Sequence, residues 1–238
     1  MCADRRSVLG VSIALSLRGF AAAGTFSGTV HAAAMTKAER DELTPDDVLA
    51  RMKKGNERFS SGRGEHRSDF SQEPCSVGGR HPIAVLLSCI DLRPPAETVM
   101  DLCTSDVFSS RVGGNVEASN NLGDIEFACN VAGAKVVLVM GHTGCSAIKG
   151  AIDGTELAKL TGLLAKIKPA VEATAYDRER SGKSAAFVDA VARKNVELTV
   201  ANIRKDSPRL AELESSGRIK IAGAMYDLNS GKVDFFSA

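Results

Sequence analysis

Three short runs carry apolar residues almost without a break: IAVLLSC at 83–89, KVVLVMG at 135–141 and IKIAGAMYDL at 219–228. A strand with one solvated face alternates apolar and polar residues, so runs of this kind describe strands covered on both faces. Longer stretches with helical spacing lie between the last two, at 156–171 and 184–206. Strands that alternate with helices predict an α/β fold, a central, mostly parallel β-sheet flanked by helices. VFSSRVG (107–113) is a further strand candidate, KVDFF (232–236) a candidate edge strand, and NLGDIEFACNVAG (121–133) a helix closed by Gly133. A short helical segment is expected from about Pro95 to Leu102. Ahead of the first strand, Thr44 followed by Pro45, Asp46 and Asp47 forms a helix start. Val48, Leu49, Met52, Asn56 and Phe59 continue that helix on one face, giving the fold an N-terminal helical extension. Residues 60–82 have the Gly, Ser and Pro content of a surface loop.

Composition narrows the functional classes. The chain has 238 residues, 44% hydrophobic and 25% charged, with a net charge of +1, which suits one globular domain. That balance leaves no electrostatic footprint for nucleic acid. No run of about 18 apolar residues follows residue 35, so no membrane span is expected in the mature chain. The first 34 residues read differently. Arg5 and Arg6 precede an apolar stretch from Val8 to Leu17, and small residues suited to cleavage stand at Ala32 to Ala34. This resembles a twin-arginine export signal and implies a periplasmic or exported protein whose domain spans 35–238. The alternative is translation from Met35, where the sequence turns polar, and a cytoplasmic protein; Arg18 inside the apolar region speaks for it.

Of six cysteines, Cys2 lies in that leader, which leaves Cys75, Cys89, Cys103, Cys129 and Cys145. An odd number at irregular spacing in a chain this long is not a disulfide framework. Cys103 and Cys129 lie in apolar, helix-like stretches and are expected to be buried core. Cys89 and Cys145 are placed differently. In open α/β sheets, sites form beyond the carboxyl ends of the strands. Cys89 ends the first strand, while His142 and Cys145 lie just past the third, in VVLVMGHTGC. If those strands are neighbours, two thiolates and one imidazole meet, a catalytic zinc set with its fourth position open. Cobalt or iron could occupy the same donors. Asp91 and Arg93 alternate with Cys89, so in an extended segment all three project to one side, and the two charged groups could form a charge-assisted pair.

The order and spacing of Cys89-x-Asp91-x-Arg93, of Arg111 with the GGN of 113–115, and of His142-x-x-Cys145 resembles the β-class carbonic anhydrases, from about residue 44 to the C-terminus and most closely over 83–152. The resemblance implies a central parallel sheet with helical flanks and a homodimer or a multiple of dimers. It implies Zn²⁺ on Cys89, His142 and Cys145, and reversible hydration of carbon dioxide to bicarbonate and a proton by attack of zinc-bound hydroxide. Asp91 would accept a hydrogen bond from the hydroxide and Arg93 would hold Asp91; in a closed state Asp91 itself would become the fourth ligand. The resemblance also implies where this chain departs from its pattern. Leu86, Arg111 and Phe127 match positions at which some members use Trp, Arg and Tyr to hold a regulatory bicarbonate. Leu92 replaces a usual serine and Ser146 a usual glycine. Two alternatives keep the same zinc set: a hydrolase of carbonyl sulfide or carbon disulfide, and a zinc-stabilised binding module without turnover. The absence of Cys-x-x-Cys argues against a thiol redox protein.

Overall fold

The computed structural model describes residues 35–64 and 80–236; the export-signal reading and Cys75 lie outside them. The chain enters through α1 (Lys37–Glu42) and α2 (Pro45–Ser60). Both helices begin with a capping box: Thr36 pairs with Glu39 and Thr44 with Asp47, so each side chain meets the other residue's backbone N–H. The expected helix start at Thr44 is therefore found, and Val48, Met52 and Asn56 form its buried face. Next come β1 (Ala84–Ser88), α3 (Ala96–Val99), β2 (Val107–Arg111), α4 (Ser119–Asn130) and β3 (Val136–His142). The remainder is α5 (Ser146–Ile152), α6 (Ala158–Ala173), α7 (Ala185–Asp206), α8 (Pro208–Ser215), β4 (Lys220–Tyr226) and β5 (Val233–Phe236).

The strands form one five-stranded sheet in the order β2-β1-β3-β4-β5. The first four are parallel, in a register that sets Ala84 beside Val107 and Val136, and Val136 beside Lys220; β5 runs antiparallel at the edge. Alternate residues of the central strands enter different layers. Val85, Leu87, Val137 and Val139 pack against α4 to α8, while Ala84, Leu86, Leu138 and Met140 pack against α2 and α3. This double coverage is why the strands are apolar at successive positions. From β1 the chain steps outward to β2, then crosses back to place β3 on the other side of β1. The strand order thus reverses between β1 and β3, and at that switch point the loops leaving the two carboxyl ends diverge and open a crevice.

Three local expectations change. The helix after β1 covers only Ala96–Val99, and the chain beyond it passes through Asp101 with a positive φ of 48°. Cys103 is buried as expected but precedes a short 3₁₀ turn, Thr104–Asp106, and is not helical. The segment after Cys89 is a turn and not an extended strand: the Leu92 N–H donates to the Cys89 carbonyl at 3.1 Å. No helix among the described residues is long and apolar enough to cross a membrane.

Candidate metal centre

Cys89 immediately follows β1 and His142 is the last residue of β3, its in-sheet neighbour. Cys145 stands at the start of α5, delivered by a turn through Gly144 at φ +66°. All three side chains are buried, and their ligating atoms lie within 4.8 Å of one another. The Cys89 and Cys145 sulfurs are 3.6 Å apart and not disulfide-bonded. Two thiolates on a tetrahedral zinc stand about 3.8 Å apart at ordinary Zn–S lengths, so this separation suits the ion. His142 Nδ1 lies 2.9 Å from the Thr143 carbonyl oxygen, which makes Nδ1 the protonated nitrogen and Nε2 the free lone pair. Nε2 is buried without a hydrogen-bond partner. An orphaned, buried imidazole nitrogen facing two thiols fits a thiophilic divalent metal.

The sulfurs share their ionisation. The hydrogen bond from Cys145 pulls Cys89 down to about 4 against the opposing effect of burial, helped by His142 and by two backbone N–H groups. Cys145 moves the other way, pushed up by donating that bond and by burial. Burial pushes the His142 pKa down, but the neighbouring Cys89 thiolate favours the charged imidazole and outweighs it, and the net shift is upward. Cys129, pushed up to about 12 by burial alone, is an inert core thiol.

Backbone donors surround Cys89. The N–H of Gly114 reaches its sulfur at 3.2 Å and that of Asp91 at 3.4 Å. Gly114 belongs to the GGN turn that follows β2, at φ +67°, and a Cβ there would lie 2.5 Å from Ile167 Cδ1. The turn is held from α7, where the Asn195 side-chain amide donates to the Gly114 carbonyl at 2.6 Å. The same helix holds the second ligand loop: Asp189 accepts the Gly144 N–H at 2.8 Å. Sequence reasoning missed Asp189 and Asn195. The available signal was Asn195 itself, an amide within the apolar stripe of Val188, Val191, Ala192, Val196 and Val200.

Asp91 is brought to the site and Arg93 only to its vicinity. Asp91 Oδ2 accepts the Ser146 N–H at 2.9 Å, next to Cys145. Burial raises the Asp91 pKa, but the Ser146 hydrogen bonds and the charges of His142 and Arg93 prevail and keep it below the ordinary carboxylate value. Arg93 is exposed, and among the described residues no direct ion pair joins it to Asp91. The turn at Cys89–Leu92 breaks the alternation that would have aligned the two side chains. Arg111 Nη2 clamps that turn through the carbonyls of Ile90, at 3.2 Å, and Leu92. Leu86 and Leu92 are both buried in the α2–α3 layer. Phe127 is half exposed and packs on Phe108 with ring centroids 6.2 Å apart, while Tyr226 is the tyrosine that shares the layer of Leu86 and stands beside His142 in register.

A sequence profile described as carbonic anhydrase matches residues 84–233. The protein named carbonic anhydrase 2 of Mycobacterium tuberculosis is 32% identical over 185 residues, covering 76% of this chain and 87% of its own. A carbonic anhydrase of Mycolicibacterium smegmatis is 30% identical over 188 residues, or 78% and 90% of the two chains. Among solved structures, a β-carbonic anhydrase of the fungal pathogen Aspergillus fumigatus superposes with a TM-score of 0.60 at 24% identity, covering 80% of this chain and 89% of its own. A tetrameric β-carbonic anhydrase of Sordaria macrospora gives 0.61 at 21% identity, with 81% and 98% coverage. Both likenesses concern the fold.

Proposed function

Because this chain belongs to the β-class carbonic anhydrase family, we propose that it interconverts carbon dioxide and bicarbonate with a zinc ion held by Cys89, His142 and Cys145. The observation that carries this reading is the meeting of three buried donor atoms within 4.8 Å at the sheet's switch point, one of them a histidine nitrogen without a partner. When bound, zinc supplies a Lewis acid with an open position at which water becomes acidic enough to be a nucleophile near neutral pH. The two thiolates neutralise more of the metal's charge than imidazoles do, so activity should climb into the alkaline range. Asp91, anchored beside Cys145 by the Ser146 N–H, accepts a hydrogen bond from the reacting water and orients it. The positive charge of Arg93 helps to keep Asp91 ionised. In a closed state Asp91 would help to hold the metal in place of its contact with the Ser146 N–H, and the open state would be the one favoured at higher pH.

Regulation through a bicarbonate held by Leu86, Arg111 and Phe127 is not part of this proposal. Arg111 is committed to the carbonyls of the Cys89–Leu92 turn, and Phe127 packs on the outer strand β2. The assembly we propose is a homodimer or a multiple of dimers. With residues 1–34 acting as an export signal the enzyme is periplasmic; with translation from Met35 it is cytoplasmic.

The test is stopped-flow hydration of carbon dioxide between about pH 6.5 and pH 9, paired with metal content of the same preparation. The expected result is one zinc per chain and a rate that increases with pH. Bound zinc with no hydration at any pH overturns the proposal; turnover of carbonyl sulfide or carbon disulfide would then identify the hydrolase alternative, and no turnover of either the binding module.

A further inference from the structure

We propose that Asn195 is a positioning residue for the metal centre: by holding the Gly114 carbonyl it aims the Gly114 N–H at Cys89 Sγ and so fixes the orientation and donor strength of that ligand. The inference rests on the zinc reading of the site and adds to it a residue from a distant helix. Asn195 is 2% exposed, on the face of α7 that otherwise presents Val188, Val191, Ala192, Val196 and Val200 to the core. An amide is a poor choice there on hydrophobic grounds alone. Its Nδ2 donates to the Gly114 carbonyl at 2.6 Å, and the adjoining peptide N–H of Gly114 reaches Cys89 Sγ at 3.2 Å.

The alternative role for Asn195 is to satisfy a buried carbonyl and nothing more. Gly114 makes the distinction testable. Glycine does not restrict its own φ and ψ, so the direction of its N–H must be imposed by its surroundings. The Ile167 side chain crowds the turn from α6, and the peptide unit that follows Gly114 is held at both ends, its N–H by the Val112 carbonyl at 2.9 Å and its carbonyl by the Asn195 amide. With the Asn195 bond gone, only the Asn115 N–H bond to Val112 holds that unit, and on this proposal the carbonyl must then swing and carry the Gly114 N–H off the sulfur. A thiolate that loses an N–H···S bond is a stronger electron donor, which moves its charge-transfer band, and is less well oriented towards its metal, which is the effect that weakens binding. Partners that orient metal ligands typically contribute 10- to 100-fold to metal affinity.

The experiment uses the full chain and two variants, Asn195→Leu and Asn195→Asp. Both remove the donor, the first with an apolar side chain of similar size and the second with a near-isosteric acceptor. Val200→Ala, a core truncation on the same helix, serves as the control for loss of stability alone. Zinc affinity is measured by competition with a chelator, and the thiolate-to-metal charge-transfer band is recorded after substitution with cobalt. The expected result is zinc binding about 10- to 100-fold weaker in either Asn195 variant, with the charge-transfer band moved to longer wavelength, while Val200→Ala lowers the melting temperature and leaves both readouts unchanged. If either folded Asn195 variant binds zinc within about twofold of the parent with an unmoved band, Asn195 only satisfies a carbonyl and the proposal is overturned. A parent protein that binds no zinc overturns the zinc reading instead, and the two failures are thereby distinguished.

Discussion

Gly114 is held to glycine by its backbone conformation first and by side-chain crowding second. Its φ of +67° disfavours any side chain, and a Cβ at that position would fall 2.5 Å from Ile167 Cδ1. Gly114→Ala should therefore cost about 1–3 kcal/mol from backbone strain, read as a lower melting temperature, and should also weaken zinc binding by moving the N–H that faces Cys89. The ligands and Arg93 separate differently. Cys89→Ala, His142→Ala and Cys145→Ala should each lose metal, whereas Arg93→Ala should keep one zinc per chain and lose hydration activity. Metal analysis and stopped-flow assays on the same preparations decide this, and unchanged turnover in Arg93→Ala would remove that arginine from the mechanism. At this scale the sequence was legible where chemistry coincides with a strand end. Cys89, His142 and Cys145 could be found because buried runs stop at them. The geometry of Asp91 and Arg93 was not legible, because alternation assumes an extended chain and the backbone turns between Cys89 and Leu92.

Among the elements, α7 does the most to connect the molecule. Asp189 and Asn195 meet the two ligand loops, and near its C-terminus Arg204 pairs with Glu214 of α8 at 2.7 Å and donates to the Ile221 carbonyl of β4 at 3.0 Å. Glu214 in turn accepts the Ile221 N–H at 3.0 Å. Burial pushes the Glu214 pKa up, but Arg204 and the Ile221 N–H outweigh it and the net shift is downward. A carboxyl with a folded value below its unfolded one adds stability that is complete above the unfolded value, about 4.3, and is lost as pH falls through the folded value. Glu214→Gln should lower stability by about 1–2 kcal/mol at neutral pH and flatten the fall of melting temperature on acidification below about pH 5. Equal acid slopes in variant and parent would exclude this link as a source of acid sensitivity. The helix α7 was legible from its long periodicity, as were the strands from their uninterrupted apolar runs. The short helices α1, α5 and α8 were not anticipated, since each spans too few turns to establish a period. The contacts that α7 makes with the ligand loops join residues far apart in sequence and leave no local pattern.

For the whole molecule, two features point to association through the outer side of β2 and α4. The strand β2 lies at one edge of the sheet with a row of backbone groups turned outward. Phe127 of α4 and Val131, the residue that caps its C-terminus, are 53% and 72% exposed and, at i and i+4, share one face, where Phe127 packs on Phe108 of the same edge strand. Apolar side chains this open on a monomer mark a contact surface when they cluster. A closed dimer through a two-fold axis would cover the same patch on both copies. The expected outcome is a mass of at least two chains by light scattering or sedimentation, and a shift towards the monomer when Phe127→Asp and Val131→Asp are combined, because each new charge would be desolvated twice in a two-fold interface. Cys89 immediately follows β1, the strand bonded to β2, so this experiment also reads whether association supports the site. A charge variant that becomes monomeric yet retains zinc and full hydration would make the assembly independent of catalysis. One that retains the parent's mass would place the interface elsewhere on the surface.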